Sequence, residues 1–147
     1  MTNHRDGVHI EWLILADAAQ IMGNKLYLLG GGWDAITINQ PFPLDHAMAV
    51  AMAIIIPWGE TNQRHNFEME FITEDGRSLS KVNGQIEAGR PSGVKLGQDQ
   101  RSQIAFNIGV KLDGPNTYSV IGRINGIEQA RTGFSVIAGP GAVQKRP

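Results

Sequence analysis

The chain contains no cysteine. That excludes disulfide staples, thiolate metal sites and a cysteine nucleophile, and it suits a reducing compartment. An excess of charge is missing as well: 13 Lys and Arg stand against 14 Asp and Glu, a formal net charge of −1. So even a balance leaves no electrostatic footprint for nucleic acid or for an anionic membrane. Long apolar runs are also absent. The longest, residues 47–56, is about half the ~20 residues that a membrane helix needs. The opening MTNHRDG lacks the basic-then-apolar pattern of a leader. These absences predict a soluble, cytoplasmic protein with no nucleic-acid or membrane partner. Aromatic residues are scarce at 7%, so the place of each tryptophan matters.

What is abundant is punctuation. Eighteen glycines and seven prolines separate short runs of period-2 alternation, the pattern of strands. Val8–Leu15 is the first run, with Ile10, Trp12 and Ile14 on one face. Lys25–Leu29 follows the turn dipeptide Gly23-Asn24, and Asp34–Asn39 follows the triple glycine Gly30–Gly32. His46–Ile56 is rich in Ala, Met and Ile and ends in three β-branched residues before Pro57, which favours a buried strand over a helix. Phe67, Met69 and Phe71 alternate with Glu68 and Glu70. Leu79–Ala88 comes next, with Gly84 as a bulge candidate. Residues 89–101 read as the longest loop, and Ile104–Val110 as a strand. Tyr118–Ile124 and Ile127–Ile137 flank Asn125-Gly126, a strong hairpin signal.

Eight or nine short strands with frequent turns predict an all-β, single-domain antiparallel β-sandwich of the immunoglobulin-like or jelly-roll-like kind. The domain is expected over residues 8–138, between flexible tails 1–7 and 139–147. The one helical piece expected is a single turn at Ala16–Gln20, capped by Asp17.

The triple glycine is the first candidate for chemistry. A phosphate loop needs a lysine, a hydroxyl residue and a following helix. Here Trp33, Asp34 and a strand follow instead. Leu29 precedes the glycines where an oxyanion loop would carry histidine, and no G-x-S-x-G occurs. Gly30, Gly31 and Gly32 therefore read as a strand bend or a crossover between sheets. Trp33 and Trp58 each follow a chain-bending feature. A buried indole would cover the core, and an exposed one could stack on a sugar or anchor a partner. The four histidines lack metal-ligand spacing and read as solvated loop residues. Residues Asp45-His46 and Arg64-His65 lie some ~30 Å apart along the chain. Glu68 and Glu70 could do acid–base work, but their alternation marks the solvated face of a strand. No catalytic residue, metal ligand or cofactor is assigned.

The stretch LADAAQIMGNKLYLLGGGWDAI resembles the opening of an uncharacterised bacterial family, a domain of unknown function of actinobacterial type. The resemblance rests on A-D-A-A-Q, here Ala16–Gln20, and on L-G-G-G-W, here Leu29–Trp33. Residues 56–76, Gly89–Pro91 and the closing hairpin resemble the family too, so the likeness spans Ile10–Ile137. It implies a compact β-sandwich and no activity, with Asp17, Gln20 and Gly30–Gly32 as structural motif residues. Three functional readings remain open. The first is a non-catalytic interaction or assembly module, binding a protein partner or itself through a strand edge. The second is a small-ligand or carbohydrate binder using Trp33, Trp58 and Arg90 of the 89–101 loop. The third is a hydrolase built on Asp17, Asp34, His46 or His65.

Overall fold

The computed structural model describes residues 7–142. The ends of both expected tails, 1–6 and 143–147, lie outside the described residues. Nine strands follow in order: β1 (His9–Met22), β2 (Lys25–Gly31), β3 (Ala35–Ile38), β4 (Leu44–Ile56), β5 (Arg64–Thr73), β6 (Ser78–Glu87), β7 (Gln100–Leu112), β8 (Thr117–Ile124) and β9 (Ile127–Ala138). They form a four-stranded sheet in the order β2-β1-β4-β7 and a five-stranded sheet in the order β3-β9-β8-β5-β6. The two inner faces enclose one core that contains Met48, Val50, Met52 and Ile54 of β4, Phe71 of β5, Tyr118 of β8 and Phe134 of β9. The all-β sandwich read from the sequence is the observed architecture. Its pairing is not wholly antiparallel, because β3 runs parallel to β9.

The turn dipeptides act through backbone conformation. Gly23, Asn24, Asn125 and Gly126 all have positive φ, as a two-residue hairpin turn of type I′ requires. Residues 139–142, expected as tail, are held at their start: the Gly139 N–H donates to the Ile38 carbonyl at 2.8 Å, and Pro140–Ala142 form a 3-10 turn.

Three local expectations are corrected. Ala16–Gln20 is not a helical turn but part of β1, so Asp17 caps nothing. A strand bent against another surface needs small side chains, and a run of alanines in one-dimensional sequence looks the same as a helix former. Second, the register of β1 on β4 shifts between Ile10 and Trp12. This bulge turns Trp12 and Ile14 to the outer face and puts Leu13 and Leu15 opposite Met52 and Val50 of the core. Third, Gly84 marks no bulge. The β5–β6 register shift lies between Phe71 and Ile72. Gly84 is opposite Phe67, whose ring fills the space a Cβ would take.

Candidate functional site

The alternation in β4 builds an unusual outer face. Ala47, Ala49, Ala51 and Ala53 occupy every second position, and their β7 partners are Gly109, Asn107, Ala105 and Gln103. Ala49, Ala51 and Ala53 are fully buried although they point away from the core between the sheets. The β1–β2 hairpin covers them. Pairing of β1 with β4 stops at Ala16↔Ala49, while β1 continues to Met22 paired with β2. The second half of β1 crosses over the face of β4 toward β7. There the Asn107 side chain accepts from the Ala19 N–H at 3.0 Å and donates to the Ala19 carbonyl at 2.7 Å. Further along, Gln103 Nε2 donates to the Asn24 carbonyl of the hairpin turn at 2.9 Å. An asparagine side chain reaches only about 3.5 Å from its Cα, so the hairpin backbone lies roughly 6–7 Å from β7, against the ~10 Å of sheets held apart by large side chains. The alanine methyls make this approach possible. Ala16, Ala19, Ala49 and Ala51 form a second small apolar cluster, with Trp12, Leu26 and Ala105 against it.

The glycine run is the return leg of the same bend. Gly30 has φ +59°, and a Cβ there would collide with the Asp17 carboxylate. Gly31 pairs with Ala16, and the Gly32 N–H donates to the Leu15 carbonyl at 2.8 Å. The chain then leaves the four-stranded sheet and enters β3 of the other one. Trp33, delivered by this crossover, is half-buried and meets Phe134 edge-on, with centroids 5.6 Å apart. Its indole N–H is buried without a hydrogen-bond partner among the described residues. Asp17 is exposed, and Gln20 is exposed opposite Tyr27.

The hairpin also has an outer side. Ala18, Gln20 and Met22 of β1 lie opposite Leu29, Tyr27 and Lys25 of β2 and face solvent. Met22 is 57% exposed, Tyr27 53% and Leu29 70%. A shallow recess of about 470 Å³ runs along Gln20, Tyr27, Leu29 and Asn107. Moreover, β2 is an edge strand, hydrogen-bonded among the described residues only to β1. Exposed apolar residues on an open sheet edge are a template for another chain.

The other sequence candidates lie elsewhere. Trp58 and Arg90 come together at the far end of β4. The Arg90 guanidinium stacks over the Trp58 ring at 3.8 Å. It donates to the Trp58 carbonyl at 2.8 Å and to Thr61 Oγ1 at 2.7 Å. One face of that indole is thus occupied by a cation of the chain itself. Trp33 is not part of this pair. His65 is no solvated loop residue: it lies in β5 and is 4% exposed. Its Nε2–H donates to the Glu60 carbonyl at 2.8 Å. His9 and His46 are also on strands, in β1 and β4.

Glu68 and Glu70 sit beside Arg123, whose Nη1 donates to both at 2.6 and 2.9 Å. Lys81 adds a second cation at 3.7 and 4.0 Å. Hydrogen bonding from Ser78 holds the Glu70 carboxyl below its ordinary value of 4.5, burial opposes it, and the Arg123 hydrogen bond and the nearby cations add to the lowering. A carboxyl of this kind is a structural anion, not a proton donor near neutrality. Among the described residues, no group of three or more His, Asp or Glu is placed to hold a metal ion, and no helix is long and apolar enough to cross a membrane.

No curated protein matches the sequence. A family model does match, over residues 11–137, a span that includes the hairpin, the glycine crossover and every strand from most of β1 to nearly the end of β9. The chain belongs to that family, a family of unknown function, DUF6941.

Proposed function

We propose that this protein is a non-catalytic interaction module that binds through the outer side and open edge of the β1–β2 hairpin. The observation that carries the reading is the exposure of Met22, Tyr27 and Leu29 on and beside an edge strand that, among the described residues, pairs on one side only. Strand addition of this kind takes its affinity from backbone hydrogen bonds and its selectivity from alternate side chains. On this reading the A-D-A-A-Q and L-G-G-G-W segments are the two strands of one bend, and their task is to present β2. We place the module in the cytoplasm of a bacterial cell, in keeping with a chain that holds no cysteine.

A photoreactive amino acid at position 29, compared with one at Asn83 on β6, tests the reading in the native cell. The expected result is a protein adduct at position 29 and none at position 83. Adducts at neither position, or equally at both, contradict it. Ligand binding at Trp58 and Arg90 has one observation in its favour, that the two residues meet at the surface. The stacked guanidinium must leave that ring face before a sugar can use it.

A further inference from the structure

We infer that the occupant of the β2 edge is a second copy of this chain, paired antiparallel with its two-fold axis at Tyr27. The inference rests on the interaction reading above and adds the partner and the register. The usable part of β2 lies between the turn Gly23-Asn24 and Gly30, whose left-handed φ of +59° breaks the extended line. That leaves five residues, Lys25–Leu29, with Tyr27 at their centre.

The hairpin fixes which groups are free. A two-residue turn makes Met22↔Lys25 a hydrogen-bonded pair. Alternation along an antiparallel ladder then turns the N–H and C=O of Leu26 and Leu28 to the open edge. Full overlap of two such edges sets Leu26 against Leu28 of the second copy, and Leu28 against its Leu26. All four free residues, two per copy, are then satisfied with none left over.

The side chains agree with this register. Tyr27 meets Tyr27 of the second copy in the closer, non-hydrogen-bonded kind of pair. Lys25, the one charge in β2, falls opposite Leu29 of the second copy, so the two lysines stand at opposite ends of the paired strands and do not repel. Each lysine also arrives at the end where the other copy carries Asp17 next to Ala18 and Gly30. Neither Lys25 nor Asp17 makes an ion pair among the described residues. The charge pattern is therefore self-complementary under two-fold symmetry.

The absence of cysteine makes the test clean, because any disulfide reports an introduced thiol. In this register the Cα atoms of residue 27 in the two copies are about 4.5 Å apart, within disulfide range. Tyr27→Cys is expected to give covalent dimers under mild oxidation, and Leu29→Cys alone to give few. A mixture of Lys25→Cys and Leu29→Cys chains is expected to cross-link to each other. Equal cross-linking of Tyr27→Cys and Leu29→Cys overturns the register. Tyr27→Lys sets two cations face to face and keeps an exposed side chain, so folding is retained. Sedimentation equilibrium is expected to show dimerisation weakened about tenfold by this change. A wild-type chain that stays monomeric at every concentration overturns the inference. If such a chain still yields an adduct with a different protein at position 29, the interaction reading stands and only the second copy fails.

Discussion

Two edge strands of this molecule are treated in opposite ways. β6 closes the five-stranded sheet, and its outward positions are Lys81, Asn83, Gln85 and Glu87. Three of the four are tied to β5: Lys81 approaches Glu68 and Glu70, Gln85 bonds Asn66 at 3.0 Å, and Arg64 lies 4.0 Å from Glu87. Charge and side-chain pairing of that kind blunt an edge. β2 closes the other sheet and shows Tyr27, Leu28 and Leu29 instead. The outer faces differ in the same sense. One carries the Glu68, Glu70, Arg123 and Lys81 network. The other carries alanine methyls, which are dry only because the hairpin lies over them. One sheet is finished by polar residues, and the other by a folded-back piece of chain whose own surface is left apolar. The contrast indicates that the exposure of β2 is built by the fold and is not an unfinished surface.

The contrast can be broken from the alanine side. Ala51→Leu puts a branched side chain where the hairpin must lie, and is expected to destabilise the fold by about 3 kcal/mol in urea titration. Asn83→Leu, which places the same leucine on the exposed face of β6 where nothing among the described residues lies above it, is expected to change it by no more than about 0.5 kcal/mol. The bend comes next. Gly30→Ala strains a left-handed residue and collides with Asp17, at a cost of about 2 kcal/mol. Gly32→Ala has the strain, with φ +83° and open space around it, and is expected to cost less. The difference between the two isolates the Asp17 contact.

Asn107→Ala removes both bonds to Ala19 and is expected to cost about 1–2 kcal/mol, with faster hydrogen exchange at Ala19. On the charged face the effect is a pH dependence. The Glu70 pKa is lowered in the folded chain, so its contribution is present above 4.5, the unfolded-like value, and is lost as pH falls through the lower folded value. The wild type is expected to lose stability in acid more steeply than Glu70→Gln, as read from urea midpoints between about pH 7 and pH 3. Tyr27→Lys closes the series. It changes stability by less than about 0.5 kcal/mol and acts on association instead.

Much of this was legible in the sequence. All nine strands were read in order, because turn glycines and asparagines at positive φ mark hairpins whatever the tertiary context. The triple glycine was legible as a bend, since it lacks the lysine and the helix of an anion site. The fold-back was not. Ala16–Gln20 has the composition of a helical turn, and only the facing surface shows why its residues are small. A signal existed in Ala47, Ala49, Ala51 and Ala53, whose spacing puts four methyls on one face and asks for something close above them. The exposure of β2 left no trace, because Leu-Tyr-Leu-Leu has the pattern of a buried strand. His65 was misread for a similar reason: burial depends on what packs around a strand, and Glu60 and Asn125 close over it from other segments. The bulge between Ile10 and Trp12 was also invisible, and it exchanges the faces of β1.

The central claim is that β2, unlike β6, is an edge made to be paired. Hydrogen exchange of the wild-type chain at two concentrations, one well below and one well above the dimerisation range, tests it most directly. The account predicts that the Leu26 and Leu28 amides slow as concentration rises, while the amides of β6 exchange at the same rate in both samples. Unchanged exchange at Leu26 and Leu28, or slowing that is equal in β2 and β6, would contradict it.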